Sequence, residues 1–247
     1  MRAMILAAGL GTRLRPLTDD RPKALVEIAG RTLLDITLSR LREIGIRDVI
    51  INVHHYADMI GEYLKTNNNF DMNIELSREE VLLDTGGGLK KASYFFLADS
   101  DSSEEPFILH NVDVISTIDL RRLSEFHSKN QALATLAVQD RKTSRYLLFD
   151  DRLQLRGRCA DGEHKNDSAQ LSRQMLAFAG IHVVSPRLLG MLTEGGVFSI
   201  ITSYLRLAAQ GEKIVGFRAD EYYWRDLGTP ESVRQATHDL KGKALLQ

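Results

Sequence analysis

A glycine-rich segment near the start of the chain is followed by a group of basic residues. Residues 6–14 read Leu-Ala-Ala-Gly-Leu-Gly-Thr-Arg-Leu and come directly after a short apolar run. Small residues allow backbone N–H groups to approach an anion closely, and a helical turn that follows adds its positive end. The charged residues that follow are Arg13, Arg15, Arg21 and Lys23, with Asp19 and Asp20 among them. A structural turn does not need fixed cations beside exposed backbone donors, whereas a triphosphate does, so the combination predicts a phosphate-binding site.

Two familiar phosphate motifs do not match this segment. The dinucleotide-binding fingerprint requires a third glycine where this chain has Leu14. A Walker A loop requires Gly-Lys-Ser/Thr, which is also missing. The segment is therefore a different phosphate loop or a tight strand–helix turn, and the basic residues favour the loop. A nicotinamide dehydrogenase would leave Leu14, Lys23 and a later Trp-Arg-Asp-Leu-Gly-Thr segment unexplained.

Composition excludes several classes of protein. The 247 residues carry 32 Lys and Arg against 33 Asp and Glu, which argues against binding to nucleic acid or to a membrane surface. The single Cys159 excludes a disulfide framework and a cysteine-based zinc site. The apolar run at 3–10 is interrupted by Gly9 and falls short of the ~20 residues of a membrane-spanning helix. We expect no signal peptide and a cytoplasmic location.

The order of apolar runs and amphipathic stretches predicts an α/β fold. A strand–helix–strand opening implies a parallel pair of strands with a right-handed crossover. Beyond about residue 130 the pattern becomes richer in strands, and the polar segment 162–174 predicts a surface loop. Thr229 and Pro230 predict the start of a C-terminal helix. The predicted strands are 2–8, 48–53, 72–76, 106–110, 131–138, 146–149, 177–184 and 213–217, and the predicted helices are 32–44, 58–65 and 89–97.

The glycine-rich segment and the basic residues together resemble a family signature. Ala-Ala-Gly-Leu-Gly-Thr-Arg at 7–13, followed by Arg-Pro-Lys-Ala at 21–24, closely resembles the signature of the sugar-1-phosphate nucleotidyltransferases, the NDP-sugar pyrophosphorylases. The resemblance implies a Rossmann-like, doubly wound, mixed but mostly parallel sheet with a smaller β-rich sugar-binding part. It also implies one domain over 1–247, with 1–130 mainly nucleotide-binding and 131–247 mainly sugar-binding and supplying a second metal carboxylate.

Three later segments extend the resemblance over nearly the whole chain. Asp-Thr-Gly-Gly-Gly-Leu at 84–89 resembles the segment that lines the base pocket, and adjacent glycines permit flat contact with a planar base. His-Asn-Val-Asp-Val at 110–114 resembles the segment whose aspartate holds Mg²⁺, although Val112 stands where the family usually has glycine. Trp-Arg-Asp-Leu-Gly-Thr-Pro at 224–230 resembles the segment with the second metal carboxylate. The resemblance therefore implies Mg²⁺ held by Asp113 and Asp226.

The resemblance also assigns roles to individual residues. Arg13 would bind the β- and γ-phosphates of a nucleoside triphosphate, and Lys23 would bridge the α-phosphate and the sugar phosphate. Glu79 could face a base edge or be an exposed loop residue, and Arg156 could bind the sugar phosphate or simply face solvent. The nucleotide-binding candidates are Leu6, Ala7, Ala8, Gly9, Gly11, Thr12, Glu79, Thr85, Gly86 and Gly87. The sugar-binding candidates are Asn111, Gly180 and Arg156.

The sequence constrains the choice of substrates less than it constrains the reaction. The chain resembles most the N-acetylmuramic acid-1-phosphate uridylyltransferases of cell-wall recycling, which favours UTP. Guanylyl- or thymidylyltransferases for mannose-, heptose- or glucose-1-phosphate share the same loops and stay open, as does a non-catalytic nucleotide-sensing protein on the same fold. Such a sensor is expected to have lost Lys23 or the carboxylates, and this chain keeps them. We expect a monomer or a small homo-oligomer.

Overall fold

The computed structural model describes residues 1–98, 104–160 and 174–240. The sequence predicts a surface loop at 162–174; of this segment, residues 162–173 lie outside the described residues, and Gln174 begins a strand. The strands are β1 (Ala3–Leu6), β2 (Glu27–Ile28), β3 (Arg31–Thr32), β4 (Asp48–Val53), β5 (Asn73–Arg78), β6 (Phe107–Asn111), β7 (Val114–Ser116), β8 (Ala134–Gln139), β9 (Arg145–Phe149), β10 (Leu155–Ala160), β11 (Gln174–Val184), β12 (Ile214–Arg218) and β13 (Trp224–Asp226). The helices are α1 (Leu33–Glu43), α2 (Ala57–Thr66), α3 (Asp84–Lys91), α4 (Ser93–Leu97), α5 (Leu120–Asn130), α6 (Ile200–Ala209) and α7 (Pro230–Leu240).

A central sheet of nine strands organises the molecule. Its main path runs β10-β9-β11-β6-β1-β4-β5, and β8 joins it by pairing with both β11 and β12. The strands β5, β4, β1 and β6 are parallel to one another, and β11 is antiparallel to β6. The chain runs from β1 to one side through β4 and β5 and then returns to the other side at β6. The predicted doubly wound, mixed but mostly parallel sheet is therefore confirmed, with its topological switch point between β1 and β6.

Both faces of the sheet are covered, because apolar side chains point to each face in turn. Ala3 and Ile5 of β1 pack into one cluster of buried side chains, whereas Met4 and Leu6 pack into the other. A strand buried on both faces is mainly apolar, so the run at 48–53, apolar except for Asp48 and Asn52, predicts β4 with its observed bounds. Thr32 starts α1 by accepting a hydrogen bond from Asp35 N–H at 3.1 Å.

The strand-rich second half and the C-terminal helix also follow the prediction. β8, β9, β11 and β12 lie at the predicted places to within three residues at each end. α7 begins at Pro230, and the Thr229 hydroxyl accepts a hydrogen bond from Ser232 N–H at 3.2 Å. Of the helices in the described ranges, none is both long and apolar enough to cross a membrane.

One predicted helix differs from the structure. The sequence predicts a single helix at 89–97, but α3 begins at Asp84 and ends at Lys91, and α4 follows after Ala92. Three consecutive glycines usually disfavour a helix because each loses more backbone entropy than alanine. Tertiary packing overrides that preference here, since all three glycines of α3 are buried against neighbouring segments.

Candidate active site

A cleft of about 540 Å³ opens at the carboxyl ends of β1 and β6. This is the switch point of the sheet, where open α/β sheets bind their ligands. The structure brings most of the predicted residues together there: Leu6, Ala7, Ala8, Gly9, Gly11, Thr12, Arg13, Lys23, Thr85, Asn111 and Asp113. The sequence analysis did not assign roles to the other lining residues, which are Leu10, Asn52, Leu82, Asp84, Val112, Val197 and Gly228.

The glycine-rich loop after β1 is held in shape by a few specific contacts. Gly11 has φ +66°, a left-handed conformation that L side chains rarely adopt, and a Cβ there would meet Thr18 Cγ2 at 3.0 Å. The Thr18 hydroxyl donates a hydrogen bond to Gly11 O at 2.9 Å. A single 3₁₀ turn, Thr12–Leu14, follows and presents Arg13 on its exposed side while burying Leu14. The loop is therefore pre-formed and leaves the Arg13 side chain open to the cleft.

Lys23 is one of the few buried charged side chains of the molecule. It follows Pro22, which is extended and starts the turn Lys23–Leu25, and only 8% of its surface is exposed. Its ammonium contacts the Asp113 carboxylate directly. Because a buried charge is costly without a partner, this pairing explains how a lysine is held inside the cleft.

The other two basic residues of the segment lie outside the cleft, which corrects the predicted four-residue group. Arg15 pairs with Asp19 at 3.4 Å and Arg21 pairs with Asp20 at 3.0 Å, and both arginine side chains are more than two-fifths exposed. Exposed pairs of this kind contribute little to stability and are screened by salt. Of the four cations, only Arg13 and Lys23 reach the cleft.

Asp113 and Asp226 are brought together by strand pairing. The short strands β7 and β13 are antiparallel, and their register places Asp226 opposite Val114, the neighbour of Asp113. Leu227 N–H donates to Asp113 O at 2.8 Å, a further hydrogen bond at the end of this strand pair. The convergence of the two carboxylates, which the family resemblance implies, is thus present in the backbone register.

The electrostatics of Asp226 show how closely the charged groups are placed. Burial removes water from the Asp226 carboxyl and raises its pKa, and the nearby Asp113 carboxylate raises it further. Lys23, the Gly228 N–H and Arg13 act on it in the opposite direction. Gly228 leaves room for this arrangement, because a Cβ there would lie 2.6 Å from Asp226 Oδ1 and 3.1 Å from Arg13 Nη2.

The glycines of α3 serve close packing in this structure. A Cβ at Gly86 would lie 2.3 Å from the ring of Phe198, and one at Gly87 would lie 2.6 Å from Gly196 O. Neither glycine lines the cleft, which is reached from this helix by Asp84 and Thr85. Flat contact between a base and these two glycines stays a prediction, and the space beside each of them is filled by protein atoms.

Glu79 is buried inside the protein, so the exposed-loop interpretation is wrong. Only 4% of its surface is exposed, Oε1 accepts from Asn52 Nδ2 at 2.8 Å, and Oε2 accepts from Leu83 N–H at 2.9 Å. Asn52 Oδ1 in turn accepts from Ala7 N–H at 2.8 Å. Glu79 is not among the residues that line the cleft and acts on the loop through Asn52, while Gly88 leaves the space these side chains occupy.

The remaining predicted residues fall into two groups. Gly180 has φ +75°, and a Cβ there would lie 3.0 Å from Asn111 Nδ2, so the two sugar-binding candidates adjoin each other. Arg156 instead pairs with Asp150 at 2.7 Å and does not line the cleft. Val112, which departs from the family pattern, is buried in the core and donates to Leu6 O at 3.1 Å, so this position accommodates a side chain without strain.

A second cavity of about 560 Å³ lies beside α1 and contains none of the predicted residues. Arg40 extends into its wall, donating to Ser116 Oγ at 2.9 Å and to Ile118 O at 2.5 Å. Burial lowers the pKa of Arg40 to about 10. The cleft at the sheet edge, not this cavity, brings together the phosphate loop, Lys23 and Asp113. Asp226 does not line the cleft and lies beside it, opposite Val114.

Comparison with known sequences agrees with this geometry. Residues 2–150 match the family model described as nucleotidyl transferase. The chain is 33% identical over 240 residues to the N-acetylmuramate alpha-1-phosphate uridylyltransferase of Caulobacter vibrioides, covering 93% of each chain. It is 30% identical over 243 residues to the mannose-1-phosphate guanylyltransferase of Mycobacterium tuberculosis, covering 96% of this chain but only 64% of that relative.

Solved structures show the same fold. The inositol-1-phosphate CTP transferase of T. maritima superposes with a TM-score of 0.76 at 17% identity, covering 98% of this chain and 96% of the other. A UDP-glucose pyrophosphorylase bound to UDP-glucose superposes with a TM-score of 0.78 at 17% identity, covering 97% and 98%. At such identity the likeness supports the fold alone, and the sequence matches carry the family. The chain belongs to the nucleotidyl transferase family, and it is an enzyme of the sugar-1-phosphate nucleotidyltransferase class.

Proposed function

We propose that this enzyme transfers the uridylyl group of UTP to N-acetylmuramic acid-1-phosphate and releases pyrophosphate. The transfer of a nucleotidyl group to a sugar-1-phosphate follows from the family, whereas the base and the sugar belong to the proposal. The support for these two substrates is the uridylyltransferase of Caulobacter vibrioides, which matches this chain over 93% of both lengths. The larger guanylyltransferases extend well beyond the region that they share with it.

The reaction sets simple demands on the protein. An oxygen of the sugar phosphate attacks the α-phosphorus of the nucleotide, and the bond to the β-phosphate breaks. This oxygen is already anionic near neutral pH, so no general base is needed. The protein must align the two phosphates and neutralise the charge that collects between them.

The phosphate loop and its two cations meet these demands. In the proposal Arg13, exposed beside the loop and without an ion pair in the described parts of the chain, binds the β- and γ-phosphates. Backbone N–H groups of residues 9–12 assist it. Lys23 lies deeper, next to Asp113, and reaches the point where the α-phosphate and the sugar phosphate come together. Fixed cations act most strongly there because the cleft excludes part of the water.

The carboxylates fit a divalent cation. Asp113, immediately before β7, and Asp226, on the paired strand β13, present oxygen ligands, and burial together with repulsion from Asp113 raises the pKa of Asp226. No third acidic, histidine or cysteine side chain joins them within the described ranges. Two carboxylates that leave further positions for phosphate oxygens and water are the arrangement Mg²⁺ prefers. We propose that these residues hold Mg²⁺, which would supply charge neutralisation at the phosphate oxygens.

The contact of Lys23 with Asp113, beside Asp226 on the paired strand, is the observation that carries the proposal. A non-catalytic sensor needs no buried lysine paired to a carboxylate inside its phosphate cleft. The proposal includes a division of roles, in which residues 1–130 bind mainly the nucleotide and residues 131–247 mainly the sugar. It also includes a cytoplasmic enzyme that acts as a monomer or a small homo-oligomer.

A substrate matrix tests this function. Pyrophosphate release is measured with each of UTP, GTP, CTP and dTTP against N-acetylmuramic acid-, N-acetylglucosamine-, mannose-, heptose- and glucose-1-phosphate, with Mg²⁺. The proposal expects the highest kcat/KM for UTP with N-acetylmuramic acid-1-phosphate. A preference for GTP with mannose- or heptose-1-phosphate would replace the substrates and keep the reaction. Nucleotide binding without release from any pair would favour the sensor.

A further inference from the structure

Arg141 is a cation that the sequence analysis did not assign. It lies in the connection between β8 and β9, and its guanidinium carbon stacks 3.7 Å from the centre of the Trp224 ring. Its Nη2 donates to Phe178 O at 2.8 Å. Stacking on an aromatic face and one backbone hydrogen bond fix the plane of the guanidinium.

This guanidinium has no counter-ion in the described parts of the chain. In those parts its guanidinium donates to a backbone carbonyl, Phe178 O, and forms no ion pair, and its Nε–H is buried without an acceptor. Burial lowers the pKa of Arg141, and the carboxylate that acts against this shift is Asp226. A partly buried cation that lacks an anion is costly, and an anionic ligand would offset that cost.

The surroundings of Arg141 place it on the side of the site formed by β11. Trp224, on which it stacks, donates from Nε1 to Ala179 O at 2.7 Å and stands two residues before Asp226. Gly180 follows Ala179 and adjoins Asn111 of the cleft. Arg141 is therefore anchored on β11, the strand that carries the sugar-binding candidate Gly180, and it lies behind the residues that line the cleft and is not one of them.

We propose that Arg141 is the anion-binding residue on the sugar side of the active site and takes an anionic oxygen of the sugar-1-phosphate substrate. The inference rests on the proposed function, because it assumes a sugar phosphate in this cleft. The oxygen belongs either to the phosphate group or to a carboxylate on the sugar. Both present the planar or forked oxygens that a guanidinium binds with two hydrogen bonds. Trp224 is the positioning residue that holds the guanidinium in place.

Arg141→Gln tests the inference, with Arg187→Gln as the matched control. Arg187 pairs with Glu212 at 3.0 Å and is about half exposed. For each protein, calorimetry measures the binding of N-acetylmuramic acid-1-phosphate and of N-acetylglucosamine-1-phosphate, which lacks the carboxylate. Steady-state kinetics give KM for the sugar phosphate and for the nucleotide separately. Thermal denaturation reports whether each variant is folded.

The inference expects Arg141→Gln to weaken binding of the sugar phosphate and raise its KM by about ten- to a hundredfold. The KM for the nucleotide and the Tm should stay close to those of Arg187→Gln. Arg141→Lys, which keeps the charge but loses the fork, should recover part of the affinity. Weaker binding of both sugars would assign the phosphate, and weaker binding of the acidic sugar alone would assign the carboxylate.

Three outcomes would overturn it. The first is unchanged binding of both sugar phosphates by Arg141→Gln, or by Arg141→Lys if the glutamine variant does not fold. The second is an equal loss for nucleotide and sugar phosphate together with a lowered Tm, which would indicate a purely structural residue. The third is a wild-type protein that binds no sugar phosphate at all. A wild-type protein that binds sugar phosphate through Arg141 without turnover would contradict the proposed function and leave the inference standing.

Discussion

Asp113 immediately precedes β7 and Asp226 ends β13, the strand paired with β7, and Leu227 N–H donates to Asp113 O at the end of this strand pair. Asp113 and Asp226 are far apart in the sequence, and no single helix or turn contains both of them. Lys23, on a third segment, contacts Asp113 directly. The site therefore depends on three segments of the chain that only the complete fold brings together. Each of its charged side chains can be removed separately by substitution.

Substitution of the basic residues should distinguish those that reach the cleft from those that lie outside it. Lys23→Ala and Arg13→Ala are each expected to lower kcat/KM by about 10²-fold or more, since each removes a fixed charge from the reacting phosphates. Arg21→Ala is expected to stay within about twofold, because its exposed pair with Asp20 is worth little. Initial rates of pyrophosphate release measure all three.

The contrast between these variants is decisive. Equal losses of kcat/KM in Arg13→Ala and Arg21→Ala would show that the basic residues act together through their summed charge. That result would contradict the geometry. Circular dichroism and Tm show whether Lys23→Ala, which leaves Asp113 without its partner, remains folded.

Asp226→Asn should separate activity from stability. The pKa of Asp226 is raised in the folded protein, so between its ordinary value and its folded value the folded state binds more protons than the unfolded state. Stability then falls as the pH rises through that window, and the ionised carboxylate is a net cost at neutral pH. Asparagine removes the charge and keeps an oxygen for Gly228 N–H, which donates to Asp226 Oδ1 at 3.0 Å.

We therefore expect the Asp226→Asn protein to lose Mg²⁺-dependent turnover while its Tm at pH 7, measured without metal, stays level or rises modestly. Added Mg²⁺ should raise the Tm of the wild-type protein more than that of the variant. A clear fall in the Tm of the metal-free variant would show that Asp226 stabilises the fold, contrary to the direction of its pKa.

The glycines of α3 should respond to substitution in the opposite direction from a glycine of α2. Gly86→Ala is expected to destabilise the protein by about 1–3 kcal/mol, because the added carbon overlaps the Phe198 ring and lies 2.9 Å from Phe198 O. Gly61→Ala is expected to stabilise it by about 0.4–1 kcal/mol, since its Cβ makes only an ordinary contact with Leu76 at 3.6 Å.

Chemical denaturation of both variants gives the two free energies of unfolding. If Gly86→Ala were as stable as the wild type but bound nucleotide more weakly, the glycine would serve the base directly, as the sequence predicts, and packing would be the lesser role.

Asn52→Ala should loosen the phosphate loop. The substitution removes the acceptor of Ala7 N–H and leaves Glu79 Oε1 buried without its donor. An unpartnered buried group costs about 1–3 kcal/mol, more when it is charged. We expect a lower Tm together with a raised KM for the nucleotide and little change in KM for the sugar phosphate. A raised KM for the sugar phosphate alone would contradict the link between Asn52 and the loop.

Much of the fold can be predicted from local pattern. β4 has its predicted bounds because a strand buried on both faces is mainly apolar, and α7 starts where Thr229 and Pro230 place it. Short elements are less well specified. The two-strand sheet of β7 and β13 has too few residues for an apolar pattern, yet it joins the two carboxylates.

The site is predicted where a motif carries it and missed where tertiary structure decides. Arg13 and Arg15 are equivalent in residue type and nearly so in position, but only the path of the loop turns one towards the cleft and the other towards solvent. The hydrogen bond between Asn52 and Glu79 joins β4 to the residue that follows β5, and no spacing in the sequence marks it. Arg141 gave no signal, because its role depends on stacking with a distant tryptophan.

The most direct test of the central claim follows the oxygen atoms of the sugar phosphate. N-Acetylmuramic acid-1-phosphate, labelled with ¹⁸O at the free oxygens of its phosphate, is incubated with UTP, Mg²⁺ and the enzyme, and the products are analysed by mass spectrometry. Attack by a sugar-phosphate oxygen on the α-phosphorus predicts a UDP-sugar that retains all of the label and pyrophosphate that contains none. Label lost from the nucleotide sugar, or a nucleotide sugar that never forms while UTP remains bound, would contradict it.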